Sequence, residues 1–239
     1  RSMVLNGDLG DLRVVFAEFA GGFMADSSDS ENPRVKWRFT AKHAGMAAIT
    51  IDCGIHALNM ACFVTNKKIV KVSSDFFSGI KSRELEDDNL SSFRMEDDVA
   101  GRLWTSGLAI GRTHGLTLQV FGSKGGLAWK QEQPNQLFWT PLNDSTRIIE
   151  RGHSSLYPSA KRINKITIGH PEGMIAAFSN IYKDLFDNIY ARKFGNNPIE
   201  LSNSYPTVED GCHSLEIVKA MKKSISLNKN IIISVSYTH

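Results

Sequence analysis

The chain has 239 residues, of which 41% are hydrophobic and 22% are charged, ordinary proportions for a globular protein with a sizeable core. Its 28 basic and 25 acidic side chains give a net charge of +3, without the clustered Lys/Arg footprint of nucleic-acid-binding proteins. No apolar run approaches the roughly 20 residues of a membrane span, and residues 1–8 are not typical of a signal peptide. The composition therefore predicts partners that are neither nucleic acids nor membranes.

The three cysteines, Cys53, Cys62 and Cys212, form an odd set without a Cys-x-x-Cys pair. Such a set indicates reduced thiols in a cytoplasmic protein rather than a disulfide framework or a zinc site. We predict that Cys53 is a buried structural thiol, because a cysteine becomes a nucleophile only where its surroundings lower its pKa.

In chain order, the first part of the sequence predicts a strand, a helix and a second strand. A run of small residues leads into that helix, and stretches rich in Asp, Ser, Asn, Pro or Glu mark solvated loops. The predicted elements are a strand at 12–23, a loop at 25–34, a helix at 52–65 after the small-residue run 45–51, a strand at 68–77 and an acidic loop at 79–95.

Short strand-like runs then follow at close spacing, separated by Gly, Pro or Asn turns, which predicts an antiparallel meander. One face of such a sheet can be packed while the other meets solvent or a partner. Residues 122–126 (Gly-Ser-Lys-Gly-Gly) lack the full phosphate-loop pattern and predict a hairpin turn instead. The predicted strands are 99–105, 108–113, 116–121, 127–130, 136–141 and 146–150.

The last third of the chain predicts two helices and a closing strand. Apolar residues recur every three or four positions from Met174 to Ile189, as in an amphipathic helix, and Pro171 suits its first turn. A second helix at 208–226 has Thr207 as its N-cap, and residues 230–235 predict a strand. Strands followed by helices predict an α+β fold, with a large, mainly antiparallel, open sheet and helices on one face.

Asp52 and His56 stand four residues apart at the start of the first predicted helix, so one helical face would carry both side chains. Histidine suits proton transfer from a hydroxyl because its unperturbed pKa, roughly 6.5, lies near working pH. A nearby carboxylate can hydrogen-bond the substrate or raise the basicity of the imidazole. On spacing alone, a helix-capping aspartate and a structural histidine are the simpler interpretation.

The stretch 45–56 nevertheless resembles the Asp-x-Gly-x-His signature of the glucose–fructose oxidoreductase/inositol dehydrogenase/rhizopine-catabolism (Gfo/Idh/MocA) family of NAD(P)-dependent sugar dehydrogenases. Other stretches are similar to landmarks of the same family and come in the same order. Together they cover most of residues 4–226. The stretches are 4–13, 37–38, 121–127, 170–173 and 205–211.

The resemblance implies the substrate-binding and oligomerisation domain of a sugar or polyol dehydrogenase. It implies that His56 is the acid/base and Asp52 the residue that orients the substrate. Arg38, Lys42 and His170 are predicted to contact the substrate. Surface charge is an equally simple role for Arg38 and a simpler one for Lys42, and helix capping is a slightly simpler role for His170.

The family's dinucleotide fingerprint and its Glu-Lys-Pro lysine belong upstream of residue 1. The resemblance therefore implies NAD or NADP in the complete enzyme, but no cofactor-binding or metal-binding residue in this chain. Residues 1–10 are predicted to be a remnant of the link from a missing Rossmann domain, and residues 11–239 the substrate domain, whose open sheet face forms a homo-oligomer.

Two other functions stay open at this point. The first is a non-catalytic sugar-binding or dimerisation module that has kept the fold and lost the chemistry. The second is a metal-dependent hydrolase with Asp52 and His56 as ligands, although no third ligand stands near them in the sequence.

Overall fold

The computed structural model describes residues 1–197 and 205–234. Within them, nine strands form one open sheet in the order β8-β7-β6-β5-β1-β4-β3-β2-β9. Strands β1 and β4 are parallel, and the other neighbouring pairs are antiparallel. The strands are β1 (Leu12–Ala20), β2 (Ile69–Phe77), β3 (Asp88–Met95), β4 (Ala100–Ser106), β5 (Leu116–Gly122), β6 (Gly125–Lys130), β7 (Gln136–Pro141), β8 (Arg147–Glu150) and β9 (Ile231–Ile232).

Two long helices and several short ones accompany the sheet. Helix α3 lies against β1 and β5, and α6 lies against β2, both on the same face. The predicted α+β fold, with a mainly antiparallel sheet and helices on one face, is thus confirmed. The α-helices of the described residues are α1 (Ser2–Leu5), α2 (Ala41–Ala44), α3 (Ile55–Thr65), α4 (Pro158–Ile163), α5 (Met174–Lys193) and α6 (Val208–Leu227).

The core lies between the sheet and α3 and α6. Side chains alternate along β1, so that Val15 and Ala17 are fully buried under α3 while Val14 points to the other face and is 38% exposed. Leu58 of α3 and Met221 of α6 are fully buried in the same cluster. The opposite face of the sheet carries no helix of comparable length in the described residues and stays open.

Residues 1–10 contribute to this core. Met3 of α1 and Leu9 are 9% and 0% exposed and belong to the same buried cluster as α3. The boundary predicted at residue 10 stays a prediction, but the segment before it is packed onto the sheet domain.

Residues 79–95 do not form the continuous loop that their acidic sequence predicts, because Asp88–Met95 is strand β3. The inward side of β3 begins with Asn89 and Ser91, which bond each other at 2.6 Å, and Asn89 also donates to the hydroxyl of Thr50 at 3.1 Å. The prediction was wrong because the buried side of this strand starts with polar residues. Hydrogen bonds between buried side chains satisfy them, and no hydrophobic alternation marks the strand there.

Residues 108–113 do not form the strand that their alternation predicts. The N–H of Ala109 donates to the carbonyl of Gly21 at 3.0 Å, and Gly111 adopts a φ of +96°, outside the range of a strand. Ile110, which alternation would bury, is 82% exposed. The segment is a loop that lies over the turn after β1, and local alternation could not reveal that contact.

The other predicted elements are confirmed within a few residues. Strand β7 has the predicted bounds, and the glycine-rich stretch 122–126 contains the two-residue turn between β5 and β6. Thr207 caps α6 in a reciprocal capping box with Asp210. Strand β9 is shorter than the predicted 230–235, of which residue 235 lies outside the described residues. No helix of the described residues combines the length and apolar character needed to cross a bilayer.

Candidate active site

Asp52 and His56 lie on one continuous helical segment that changes pitch between them. Residues Thr50–Gly54 form a single π-helical turn, closed by an N–H···O bond from the first residue of α3 to Thr50. The helix then continues as α3. The predicted helix at 52–65 is confirmed, with a wider turn at its start. Such π turns are frequent at functional sites.

Gly54, inside the Asp-x-Gly-x-His stretch, lies where this turn meets the sheet. A Cβ atom at Gly54 would lie 3.2 Å from the Cγ2 atom of Thr105 in β4. The hydroxyl of Thr105 in turn donates to the carbonyl of Phe19 in β1 at 3.0 Å. A residue without a side chain at position 54 therefore lets the turn lie close to the ends of β1 and β4.

Glu86 binds the backbone at the start of the π turn. Its carboxylate accepts the N–H of Ala48 on both oxygens, at 2.9 and 3.0 Å, and the N–H of Thr50 at 3.1 Å. Burial raises the pKa of this carboxyl, and the backbone donors oppose that shift. The predicted solvated role for the acidic run 84–88 was thus wrong for Glu86, whose function is to satisfy backbone donors at a helix start.

Asp87, the next acidic residue, is fully buried in an ion pair with Arg83 at 3.2 Å. Arg83 also donates to the carbonyls of Met24 and Asp26, at 2.6 and 3.0 Å, and its guanidinium lies 4.0 Å from the ring centre of Phe39. One buried cation therefore joins the loop after β1 to the segment that precedes Thr40, and so fixes the neighbourhood of Arg38.

Arg38 reaches Asp52 directly. The Nε of Arg38 lies 3.1 Å from Oδ2 of Asp52, with both side chains about one-third exposed. The guanidinium of Arg38 also lies 4.8 Å from the ring centre of Trp37. These side chains border a small hollow of about 70 Å³ whose floor includes Ala47 and Ala48. Arg38 is thus bound to the signature carboxylate, a contact that the sequence did not predict, and its contact with the substrate stays a prediction.

His56 is exposed and lies beside Phe19, with ring centres 6.1 Å apart. On the same phenyl ring stacks a second imidazole, that of His114, at 4.7 Å and an interplanar angle of 25°. The carboxylate of Glu132 accepts the N–H groups of His114 and Gly115, at 3.1 and 2.6 Å. Two accessible imidazoles therefore lie next to one buried phenyl ring.

Gly115 explains how the loop delivers His114 to this position. Its φ is +76°, and a Cβ atom would lie 1.9 Å from the carbonyl oxygen of Ala20. Only glycine fits such a close approach with positive φ. No motif spacing in the sequence predicts that His114 belongs to the site. The only local signal is Gly115, which follows His114 directly before a strand and indicates a tight turn.

The structure does not bring the remaining predicted contacts, Lys42 and His170, into direct contact with this cluster. Lys42, in α2, is exposed and makes no ion pair within the described residues. His170 lies near β8, four strands from β1, where its carbonyl accepts a hydrogen bond from Arg151. The N-cap of α5 is Gly173, so Pro171 precedes the helix and His170 does not cap it.

Cys53 is 6% exposed, and burial raises the pKa of its thiol to about 12. A thiol in that state is not a nucleophile at neutral pH, so the predicted structural role is confirmed. Among residues 1–197 and 205–234, no three His, Cys, Asp or Glu side chains group as metal ligands would.

The glycine-rich turn at 122–126 joins two antiparallel strands, and no helix follows it. A dinucleotide pyrophosphate needs a glycine-rich turn that opens a helix N-terminus. This turn therefore does not fit a nicotinamide dinucleotide. The arrangement around Asp52 and His56 fits a smaller molecule with hydroxyl groups, because it offers a carboxylate, a guanidinium and imidazoles at one surface.

Residues 1–128 match the family model described as the GFO/IDH/MocA C-terminal domain. The chain belongs to the GFO/IDH/MocA family. Its signature, the Asp52–His56 segment, falls within the matched part. The open antiparallel sheet with helices on one face is shared with solved structures of the family's enzymes.

Three similarities are informative for this member of the GFO/IDH/MocA family. An uncharacterized oxidoreductase, YfiI, of Bacillus subtilis (strain 168) is 27% identical over 227 residues, which span 94% of this chain and 58% of that protein. An inositol dehydrogenase homolog from Azotobacter vinelandii complexed with NAD+ is 30% identical, with a TM-score of 0.90, over 97% of this chain and 60% of that one. Its structure with NADH and myo-inositol is 29% identical, with a TM-score of 0.84, over 98% of this chain and 60% of that one. The chain thus spans about three-fifths of the length of these relatives.

Proposed function

We propose that this chain is the substrate-binding domain of an NAD(P)-dependent oxidoreductase that acts on a hydroxyl carbon of a sugar or polyol. One observation carries the proposal: the Arg38-bound carboxylate of Asp52, in the π turn, and the exposed imidazole of His56, at the start of α3, lie four residues apart on one continuous helical segment. The Azotobacter relative, whose structure contains NADH and myo-inositol, supports the substrate class.

In the proposed reaction, His56 removes the proton of the substrate hydroxyl while hydride leaves the same carbon. Asp52 accepts a hydrogen bond from a neighbouring hydroxyl, and Arg38 fixes the carboxylate of Asp52 in place through its 3.1 Å contact. His114, which stacks on Phe19, donates to or accepts from a further hydroxyl. Lys42 and His170 stay predicted contacts.

The hydride acceptor, NAD or NADP, would be held by parts of the protein that this chain does not contain. The residues described here act only on the substrate. In the same proposal, residues 1–10 link the substrate domain at residues 11–239 to a nucleotide-binding domain, and the open sheet face joins copies of the protein.

The test uses a chimeric protein. In it, the part of the Azotobacter relative that this chain does not cover is fused to residue 1 of this chain. Oxidation of myo-inositol and other polyols is followed by NADH formation. His56→Ala is expected to lower kcat by about 10²–10⁴-fold with little change in KM, as loss of a positioned acid/base does. Asp52→Asn keeps the shape of the side chain and should act more weakly, partly on KM.

His153→Ala is the matched control, since this exposed histidine lies at the sheet edge beside Glu150. It should leave both kinetic constants unchanged. Near-normal kcat for His56→Ala would show that the acid/base is another residue. Polyol binding by calorimetry without any NADH formation would instead support the non-catalytic sugar-binding module.

A further inference from the structure

Glu132 lies in the turn between β6 and β7, yet its side chain binds the backbone of the loop that carries His114. One carboxylate oxygen, Oε1, accepts the N–H of His114 at 3.1 Å and the N–H of Gly115 at 2.6 Å. The residue is otherwise exposed to solvent. The N–H of Gly115 lowers the pKa of the Glu132 carboxyl, so the acceptor is ionised at neutral pH.

The turn that carries Glu132 is fixed by hydrogen bonds of its own. The N–H of Gln131 donates to the carbonyl of Leu116 at 2.9 Å, and the indole N–H of Trp129 donates to the carbonyl of Pro134 at 3.1 Å. Because the backbone is bonded on both sides of Glu132, the carboxylate projects from a defined position and restrains the loop that it binds.

The bonds to Glu132 stand in for sheet hydrogen bonds at the point where β5 and β6 separate. Thr117 and Lys130 are the last register pair at this end of the two strands, and continuing that register places Glu132 opposite Gly115. Gly115 turns the chain there with its φ of +76°. The carboxylate of Glu132 therefore supplies the acceptor that a strand carbonyl would otherwise provide.

The restraint reaches the candidate site through the ring of Phe19. The imidazole of His114 stacks on that ring at 4.7 Å, and the ring of His56 lies 6.1 Å from it. The stacking orients the imidazole of His114, and the two bonds to Glu132 fix the backbone from which it projects. Supporting contacts of this kind determine how accurately a side chain is placed to bind a ligand.

The loop has further anchors, but they bind its other groups. Arg112 pairs with Glu18 at 3.0 Å, and the carbonyl of Gly115 accepts the N–H of Ala20 at 3.3 Å. These bonds do not involve Glu132 and should persist when it is replaced. A substitution of Glu132 is therefore expected to release His114 without unfolding the loop.

We propose that Glu132 is a positioning residue, which holds the imidazole of His114 in its place on Phe19 at the candidate site. The consequence for the substrate rests on the proposed function, in which His114 binds a hydroxyl group. A positioning role requires the reach of the side-chain oxygen and not its charge. Glu132→Gln keeps an oxygen at the same reach, whereas Glu132→Asp keeps the charge on a side chain one methylene shorter.

Proton NMR of this chain tests the placement of His114 directly. The ring of Phe19 shifts the signals of the imidazole protons stacked on it, and His114→Gln identifies those signals by their loss. Glu132→Ala and Glu132→Asp should move them towards the positions of an exposed histidine, and Glu132→Gln should leave them near their original positions. Glu31→Ala, at an exposed glutamate elsewhere, is the control and should leave them unchanged.

Two results of the NMR comparison overturn the proposal. One is unchanged His114 signals in Glu132→Ala, with the fold verified by circular dichroism. The other is unchanged signals in Glu132→Asp together with shifted signals in Glu132→Gln, since charge and not reach would then be the property that matters.

The chimeric protein tests the consequence for the substrate. Glu132→Ala should raise KM for myo-inositol about three- to tenfold, the effect of about one hydrogen bond, and change kcat by no more than about twofold because His56 is intact. Glu132→Gln should restore KM. Shifted His114 signals with an unchanged KM would overturn the substrate consequence. A chimera that oxidises no polyol would contradict the proposed function, and the NMR comparison would then decide the positioning role alone.

Discussion

At the scale of single residues, the candidate site depends on side chains that do not touch the substrate in any proposed role. Glu86 is the clearest case, because three N–H···O contacts from Ala48 and Thr50 converge on one buried carboxylate. The carboxylate substitutes for the intrahelical acceptors that the first N–H groups of a helix lack. Glu86 thus fixes the position of the turn that carries Asp52.

Glu86 should leave a signature in the pH dependence of stability. Burial raises the pKa of its carboxyl in the folded chain, so the folded state binds the proton more tightly than the unfolded state. Its contribution is present below the ordinary glutamate pKa, about 4.3, and is lost as pH rises from there through the raised value. The free energy of unfolding in urea should therefore fall more with rising pH in the natural chain than in Glu86→Gln.

Glu31→Gln, which changes an exposed glutamate, is the control and should follow the natural chain. The difference between the natural chain and Glu86→Gln should be constant above the raised pKa. Parallel curves for these two chains across the acidic range would contradict the assignment.

At the scale of elements, the Arg83–Asp87 pair joins three segments that are distant in sequence: the loop after β1, the segment that ends at Phe39 and the start of β3. Both side chains of the pair are fully buried. Removing one partner leaves an uncompensated charge in the interior, which is the costly way to break such a pair.

We expect Arg83→Met to lower the free energy of unfolding by about 3–5 kcal/mol, measured by urea denaturation. Arg34→Met, at an exposed position of a nearby segment, should change it by no more than about 0.5 kcal/mol. The double variant Arg83→Met with Asp87→Leu should recover part of the loss. A small effect of Arg83→Met alone would mean that the pair does not hold these segments together.

The elements that could be predicted from the sequence are those whose signals are local. Thr207 and Asp210 form the capping box that their spacing predicts, and β7 has the bounds that its pattern predicts. Strand β3 could not be predicted, because partners in other elements satisfy Asn89 and Ser91. In the site, the sequence singled out Arg38 and Asp52 but not their contact with each other, and His114 reaches Phe19 only through a turn that no pattern near His56 reveals.

At the scale of the whole molecule, the open sheet face carries a groove with a volume of about 450 Å³. The groove is lined by Phe121, Phe138 and Leu142. Gly126 also lines it and has no side chain that would fill it. Ile148, in the neighbouring strand β8, is 55% exposed on the same face. Uncovered apolar surface of this extent is typical of an interface.

We expect this face to pair two copies, so that Phe121→Lys with Ile148→Lys halves the mass measured by light scattering. The reason is that both side chains are exposed at 41% and 55% and would meet a second apolar face. Val208→Lys, at the start of α6, serves as the control for added charge. A folded sheet-face variant with the mass of the natural chain would exclude this face as an interface.

The π turn at Thr50–Gly54 has a consequence for how the site and the core relate to each other. A π turn contains one residue more than an α-helical turn, so Asp52 points in a different direction about the helix axis from the one it would have in a regular α-helix. Leu58, in contrast, is fully buried in the core. The direction of the carboxylate therefore depends on the π turn as well as on the packing of α3 against the sheet. Removal of one residue from this turn would rotate Asp52 about the helix axis while Leu58 keeps its place in the core, and the contact between Asp52 and Arg38 would be lost.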